Sequence, residues 1–445
     1  MKEEWILYIS EQHDNEPISD ALVIPFLRSM EQGTVYEATF RSNPKMHCFK
    51  IAKRQEGWFS YSNYFVGVDW LVPGDAAVYV EPKLNKEKEQ VDFLGMLIQS
   101  FEAPENLNEL EGLFQVDYDK PWIAIPEQKD LLSPILIVQF LKLVQAIVRK
   151  GLKKSYYRVT ENLNSRIKGK ILVAQQIKAN IVKNRLTKTI CNYQEYGINT
   201  TENQFLKLVL EFVSSYLNQK GQFFSGDQSL QLRNILYYCL PAFERVDTLG
   251  QTHTVLDIKN NVFFREYKEA IRIGGYILKR FSFNINKTGQ SQTSTPPFWI
   301  DMSKLFELYV FGKLKKLFPE PKAVTYHDRF LGNKETDILI KAAEKKCVVD
   351  CKYKPSYHNG SPSLEDKRQV VGYTRLKAIY DKLEIDYNKV IKALIIYSNQ
   401  KCSDEIDKEK MFDDENKINE YIEFYKVGIK LPQLPPLQIN SILIK

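Results

Sequence analysis

The sequence predicts a multidomain α/β protein, and three observations carry that expectation. At 445 residues the chain exceeds what one ordinary hydrophobic core holds, so two or three domains are expected. Residues 1–125 are rich in Trp, Tyr, Phe and Val with frequent turn residues, which is the composition of a β-rich N-terminal domain. Residues 298–445 alternate helical and strand patterns, as an α/β domain does. Between these regions, 126–290 reads as mainly helical, and 291–445 is taken as the C-terminal domain.

Within the first region, AVYVEP and similar segments read as strands, and Trp5, Trp58, Trp70 and Trp122 are expected in a β-rich core rather than on a base-stacking surface. Residues 130–150 place Ile135, Phe140, Leu141, Val144 and Ile147 at helical spacing. The stretch LLSPILIVQFLKLV within it is interrupted by Ser133, Pro134, Gln139 and Lys142, so it reads as a buried helix rather than a membrane span. The basic run RKGLKKSYYR that follows suits a helix C-terminus, where the dipole favours cations, at least as well as a phosphate contact. Residues 160–245 read as mostly helical. Thr201 with Gln204 three residues on is a capping-box pattern opening a helix over 201–217. Residues 262–281 form another helix, and NKTGQSQTSTPP (286–297) is the best linker in the chain. Strands follow over 336–342, 347–353 and 390–398, with 298–318 before them reading as a helix after a short lead-in and one helix near 364–383 between the last two.

Composition narrows the function classes. Hydrophobic residues make 44% of the chain and aromatic residues 12%, which excludes a disordered chain. The formal net charge of +7 is compatible with a polyanionic partner without requiring one. Cys48, Cys191, Cys239, Cys347, Cys351 and Cys402 form no CxxC pair or zinc-like cluster, and scattered thiols suit a reducing cytoplasm. The opening residues carry acids and no long apolar run, so no signal peptide is expected.

The chemistry concentrates near the start of the last quarter of the chain. Asp337 begins an apolar strand, and after a short turn around Ala343–Lys346 the next strand brings Asp350 and Lys352. Alternate strand residues share a face, so Asp350 and Lys352 point the same way, and a hairpin sets Asp337 beside them. Converging carboxylates repel, and a hard divalent cation, Mg²⁺ or Mn²⁺, relieves that repulsion. Glu307 on the preceding helix is a third candidate acid, with Glu335 as a substitute. Gln369 and Tyr373, four apart, share a helix face. Taken singly, each of these residues has an ordinary explanation in surface ion pairing or helix packing. Their order carries the reading: helix Glu, strand Asp, strand Asp-x-Lys, helix Gln-x-x-x-Tyr.

That order resembles the PD-(D/E)xK nuclease superfamily, with Thr336-Asp337 in place of Pro-Asp, Asp350-Cys351-Lys352 as the (D/E)xK and Gln369-Val-Val-Gly-Tyr373 as the QxxxY of its RecB-like branch. FWIDMSKLFELYV (298–310) and VVDCKYK (348–354) further resemble the DMxxLFE and IIDxKYK signatures of the McrC family, the nuclease subunits of McrBC modification-dependent (type IV) restriction systems. SRIKGKI (165–171) and CNYQEYGINTTENQFLK (191–207) are a looser match, with Lys168 where the family favours Arg. The resemblance implies a restriction-endonuclease-like α/β core with a central mixed sheet over 291–445. It implies a Mg²⁺- or Mn²⁺-dependent endonuclease, with Asp337, Asp350 and Glu307 toward the metal and Lys352, Gln369 and Tyr373 completing the site. The implied partners are an McrB-like AAA+ GTPase hexamer, docked through the N-terminal region, and modified double-stranded DNA. The chain has no GxxxxGK[ST], so GTP is expected on the partner. Two rivals stay open: a stand-alone RecB-like repair exonuclease, and a non-catalytic activator of a AAA+ partner.

Overall fold

The computed structural model describes residues 5–18, 35–41, 43–54, 57–82, 91–101, 103, 112–126, 130–219, 224, 226–248, 265–285, 292–330, 334–343, 345–354 and 362–433. Residues 286–291 of the expected linker, 262–264 of the expected helix and Glu344 of the expected turn lie outside them.

In chain order the elements are β1 (Trp5–Ser10), β2 (His13–Pro17), β3 (Val35–Phe40), β4 (Asn43–Arg54), β5 (Gly57–Ser62), β6 (Phe65–Val72), β7 (Ala76–Glu81), α1 (Phe93–Ser100), β8 (Phe114–Val116), β9 (Ile123–Pro126) and α2 (Leu132–Lys150). Next come β10 (Ser155–Asn164), β11 (Lys170–Ile171), α3 (Val173–Gln176), β12 (Lys188–Gly197), α4 (Thr201–Gln219), α5 (Gly226–Cys239) and α6 (Arg265–Ile285). The chain continues through β13 (Gln292–Thr295), β14 (Phe298–Asp301), α7 (Met302–Leu317), β15 (Val324–Phe330), β16 (Lys334–Lys341), β17 (Lys346–Lys352), α8 (Leu364–Tyr373), α9 (Lys377–Leu383), β18 (Lys392–Ser398) and β19 (Phe424–Ile429). Contacts gather them into two compact units, Met1–Leu132 with Gly289–Lys445, and Ser133–Thr288.

In the first unit the N-terminal region is β-rich, with sheets ordered β1-β7-β6-β14-β8 and β2-β5-β4-β3. Trp58 and Trp70 are buried as expected, while Trp5 is exposed. The expected boundary between 1–125 and 291–445 is crossed by β14, which lies between β6 and β8. Its residues Phe298, Trp299 and Ile300 are buried, and β6 is buried along almost its whole length. A buried strand needs hydrogen-bond partners for its backbone along both edges, and here one of them comes from more than two hundred residues further along the chain. Part of the expected linker is likewise ordered, since Gln292–Thr295 pairs antiparallel with β9. Its Thr and Ser residues fit a strand as readily as a linker.

Gly67 makes the close crossing of β6 and β14 workable. A Cβ there would stand 2.0 Å from the carbonyl oxygen of Phe298. Gly67→Ala is therefore expected to cost about 3 kcal/mol by overpacking, read as a lowered denaturant midpoint; an unchanged midpoint would show that β14 shifts freely.

The C-terminal sheet is ordered β15-β16-β17-β18-β19, antiparallel over its first two pairings and parallel over its last two. The expected helix near 364–383 is two helices, α8 and α9, broken at Thr374–Leu376. Val370 packs under the sheet with Ala393, Ile395 and Phe424, while Ile379 and Leu383 pack with Leu339 and Val348. One straight helix lacks the freedom to serve both patches.

In the second unit 160–245 is helical over more than half its length, as expected, but its first part also holds a sheet that the reading missed. Ser155–Asn164 and Lys188–Gly197 pair antiparallel along their full length. The alternating exposure of SYYRVTENLN is that of a half-buried strand. Lys168 lies 2.8 Å from Glu195 and 3.9 Å from the ring centre of Tyr193, so the 165–171 and 191–207 segments meet here. The cap of α4 is Thr200 rather than Thr201, and Gln204 Nε2 reaches back to Asn199 Oδ1 at 3.0 Å. Asn203 on that helix is buried, with its amide donating to the Lys153 and Ile198 carbonyls and accepting from the Tyr267 hydroxyl. Among the described helices, α2 alone is long and apolar enough to cross a membrane, and most of it is buried within the protein.

Candidate active site

The site is assembled from α7, β16, β17 and α8. Asp301 caps α7, its carboxylate accepting from Lys304 N at 3.0 Å, and burial pushes its pKa up to about 6. Met302, Leu305 and Phe306 bury the inner face of the helix. Glu307 is thereby aimed at β15 and β16.

Ile338 pairs with Val349 across β16 and β17, and one position further on stand Asp337 and Asp350. The paired register ends at that step, and the two carboxyls just beyond it lie close enough for the charge of Asp337 to act on Asp350. Asp337 Oδ2 accepts a hydrogen bond from Cys351 N at 2.8 Å. Asp350 is buried, and its Oδ2 meets the Lys352 ammonium at 2.9 Å as an ion pair, while Oδ1 has no hydrogen-bond partner among the described residues. Lys352 Nζ also donates to Gln369 Oε1 at 3.0 Å, and Gln369 Nε2 donates to the Tyr373 hydroxyl at 3.2 Å. The structure thus brings Asp337, Asp350, Lys352, Gln369 and Tyr373 together.

Electrostatics set the protonation of this group. Burial, then the charge of Glu307, pushes Asp337 up to about 7. Burial, then the charge of Asp337, does the same for Asp350, also to about 7. Burial alone would lower Lys352, but Asp350, Asp337 and Asp366 outweigh it and hold the ammonium charged above the ordinary lysine value. Two desolvated carboxyls close together, one with an oxygen lacking any donor among the described residues, form a donor set that a hard cation would satisfy. Mg²⁺ commonly takes one or two protein carboxylates and keeps several waters, which this pair suits.

Glu307 sits differently from the expected third ligand. Among the described residues no three His, Cys, Asp or Glu side chains converge as a ready metal cluster. Glu307 Oε2 accepts from the Tyr326 hydroxyl at 3.1 Å and lies 3.2 Å from His327 Nε2. Neighbouring strand residues normally point to opposite faces. Here His327 has φ 49°, a left-handed conformation uncommon outside glycine, and its ring stacks on Tyr326 with centroids 3.8 Å apart. That turn delivers both rings to one carboxylate. Burial works to lower the His327 pKa, but its bond to Glu307 and the charges of Glu307, Glu335 and Asp337 raise it on balance. The substitute acid, Glu335, is turned to Arg329 at 3.3 Å and to the other side of His327 at 3.6 Å.

The sequence reading missed several participants. Tyr326 and His327 follow no spacing rule, because their shared target depends on a left-handed residue. Asp366 lies 3.8 Å from Lys352 and 3.0 Å from Lys354. Its clue was available, since Ser363 three residues earlier caps α8 and donates to it at 2.6 Å. Tyr326→Phe removes one hydrogen bond to Glu307 and little volume. It is expected to weaken Ca²⁺ or Mn²⁺ binding on the order of tenfold, measured by calorimetry; unchanged affinity would place Glu307 outside the cation's reach.

The family model for the McrBC 5-methylcytosine restriction system component matches residues 65–403, an interval that contains every residue of this site. Two solved structures from Thermococcus gammatolerans are similar. One is a refined half-complex from a tetradecameric assembly of McrB AAA+ hexamers with bound McrC, at 14% identity and TM-score 0.38, covering 96% of this chain and 94% of that one. The other is a cryo-EM structure of the McrBC complex, at 15% identity and TM-score 0.29, covering 72% and 89%. No curated protein matches.

Proposed function

Because the chain belongs to the family of McrBC 5-methylcytosine restriction system components, we propose that it is the McrC-like subunit that cleaves DNA in such a system. In this reading 291–445 carries a PD-(D/E)xK core, and the chain is a Mg²⁺- or Mn²⁺-dependent endonuclease working in the cytoplasm. Its partner is an McrB-like AAA+ GTPase hexamer, which it stimulates and which supplies the GTP site and the recognition of modified DNA. The observation that carries the reading is the pair of adjoining strands bearing Asp337 and Asp350 just past their last paired residues, with Lys352 2.9 Å from Asp350.

Each residue has a definite task. Asp337 and Asp350 would hold the divalent cation, with Glu307 nearby to orient a water of its shell. The cation, when bound, supplies Lewis-acid polarisation of the phosphate and acidifies a coordinated water. Lys352 orients the attacking water and offsets the negative charge that grows on the phosphate oxygens. Gln369 accepts from Lys352 and so fixes the ammonium, and Tyr373 fixes Gln369 in turn. Phosphodiester hydrolysis then needs no covalent protein intermediate.

The test compares the purified chain alone, on DNA with free ends, with the chain plus AAA+ partner and GTP on DNA carrying 5-methylcytosine, both in Mg²⁺. Cleavage only in the second mixture is the expected result. Robust degradation by the chain alone would make it a stand-alone exonuclease, and full restriction by a Lys352→Ala strain would make it a non-catalytic activator.

A further inference from the structure

The residue that follows Lys352 ties the candidate site to the start of the chain. Tyr353 is almost fully buried, and its hydroxyl donates to Glu11 Oε1 at 2.9 Å. Glu11 is itself fully buried. The next residue, Gln12, donates from Nε2 to the Tyr353 carbonyl at 2.8 Å. One tyrosine is thus gripped through both its side chain and its backbone by two consecutive residues more than three hundred positions away in sequence.

Both ends of this grip are hydrogen-bonded into the fold. On the N-terminal side, Gln12 adopts φ 55° in the turn between β1 and β2. Glu11 N donates to the Glu81 carbonyl at 2.8 Å and Gln12 N to the Asn63 carbonyl at 3.1 Å, so the turn is fastened to β7 and to the β5–β6 connection. On the other side, Lys354 N donates to the Lys352 carbonyl at 2.8 Å, which makes Tyr353 the centre of a tight three-residue turn closing β17. The Tyr353 ring also lies against Phe306, with centroids 5.9 Å apart, and Phe306 directly precedes Glu307.

A buried carboxyl and a buried phenol are costly unless each satisfies the other, so the pair resists separation. Strand β17 ends where Lys352 must stand, and a strand end released from its anchor frays. Lys352 reaches Asp350 and Gln369 only if the backbone at 352–353 is held.

We propose that Glu11, Gln12 and Tyr353 are positioning residues for Lys352, so that the N-terminal sheet is a working part of the cleavage site as well as a candidate docking element. This rests on the nuclease reading above. It implies that damage at the β1–β2 turn lowers cleavage even when the partner is bound normally.

The experiment uses the full chain as wild type, Glu11→Ala, Tyr353→Phe and Glu11→Gln, with AAA+ partner, GTP, Mg²⁺ and methylated DNA. Glu11→Ala and Tyr353→Phe are expected to lower kcat by about 10- to 100-fold with KM for DNA unchanged, because misplacement by an ångström costs that much. The partner concentration giving half-maximal GTPase stimulation should stay at its wild-type value. Glu11→Gln keeps an acceptor for the tyrosine and should recover most of the lost kcat. Hydrogen exchange of the peptide spanning 346–354 should accelerate in the first two variants and stay protected in Glu11→Gln. Wild-type kcat in Glu11→Ala and Tyr353→Phe would overturn the proposal, as would a Glu11→Gln as impaired as Glu11→Ala. If the wild type itself fails to cut, the nuclease reading falls, and exchange then decides the anchoring by itself: unchanged protection overturns it.

Discussion

Lys352→Ala is expected to lower DNA cleavage by on the order of 10³-fold, the usual effect of removing a preorganised electrostatic group from a water-poor site. The side chain is mostly enclosed and stands 2.9 Å from Asp350, 3.0 Å from Gln369 and 3.8 Å from Asp366. Among the described residues no other cation pairs with Asp350, and Lys354 bonds Asp366 at 3.0 Å. The alanine variant should remain folded, because Asp350, already raised to about 7, escapes an uncompensated charge by taking a proton. Lys352→Arg should not restore the rate, as a planar guanidinium differs in shape and hydration from a compact ammonium. Steady-state cleavage with saturating partner measures both variants; an alanine variant within about tenfold of wild type would remove Lys352 from the chemistry.

The second large effect is on stability. In the unfolded chain Asp337 and Asp350 release their protons near pH 4, whereas in the fold both hold them up to about 7. The folded state therefore binds more protons across that window, and stability falls as pH rises through it. The contribution is fully present below about pH 4 and lost above about pH 7. His327, also raised, shifts stability in the same direction, so the comparison must isolate the carboxyls. An Asp337→Asn/Asp350→Asn chain, measured without divalent ions, should melt above wild type at pH 8 by on the order of 5 °C. The gap should narrow toward pH 5, and Mg²⁺ should close it at pH 8 by stabilising the wild type alone. Melting curves that run parallel from pH 5 to 8 would mean that the two carboxyls are not mutually destabilised.

Much of the site's frame was legible because it depends on short-range rules. Asp350 and Lys352 are two apart on a strand, and Gln369 and Tyr373 four apart on a helix, so periodicity alone set each pair on one face. The hairpin that sets Asp337 beside Asp350 needed only a short turn. What stayed hidden depends on long-range pairing or on unusual backbone. Nothing in FWID foretells that it would lie between β6 and β8, because any buried strand shows the same apolar run. Glu11 and Tyr353 are partners only through that arrangement. His327 reaches Glu307 only through its left-handed φ, which a His in a strand pattern does not advertise. The hairpin of β10 and β12 reads as part of a helical region because its Lys, Arg and Asn residues blur the hydrophobic alternation of the sequence.

The most direct measurement of the central claim is cleavage of a plasmid carrying 5-methylcytosine by this chain with its AAA+ partner and GTP, in Mg²⁺ and in EDTA, for wild type and Asp350→Asn. The account predicts that only wild type in Mg²⁺ cuts the DNA, with Asp350→Asn still stimulating the partner's GTPase. Cutting by Asp350→Asn at the wild-type rate, or by wild type in EDTA, would contradict it.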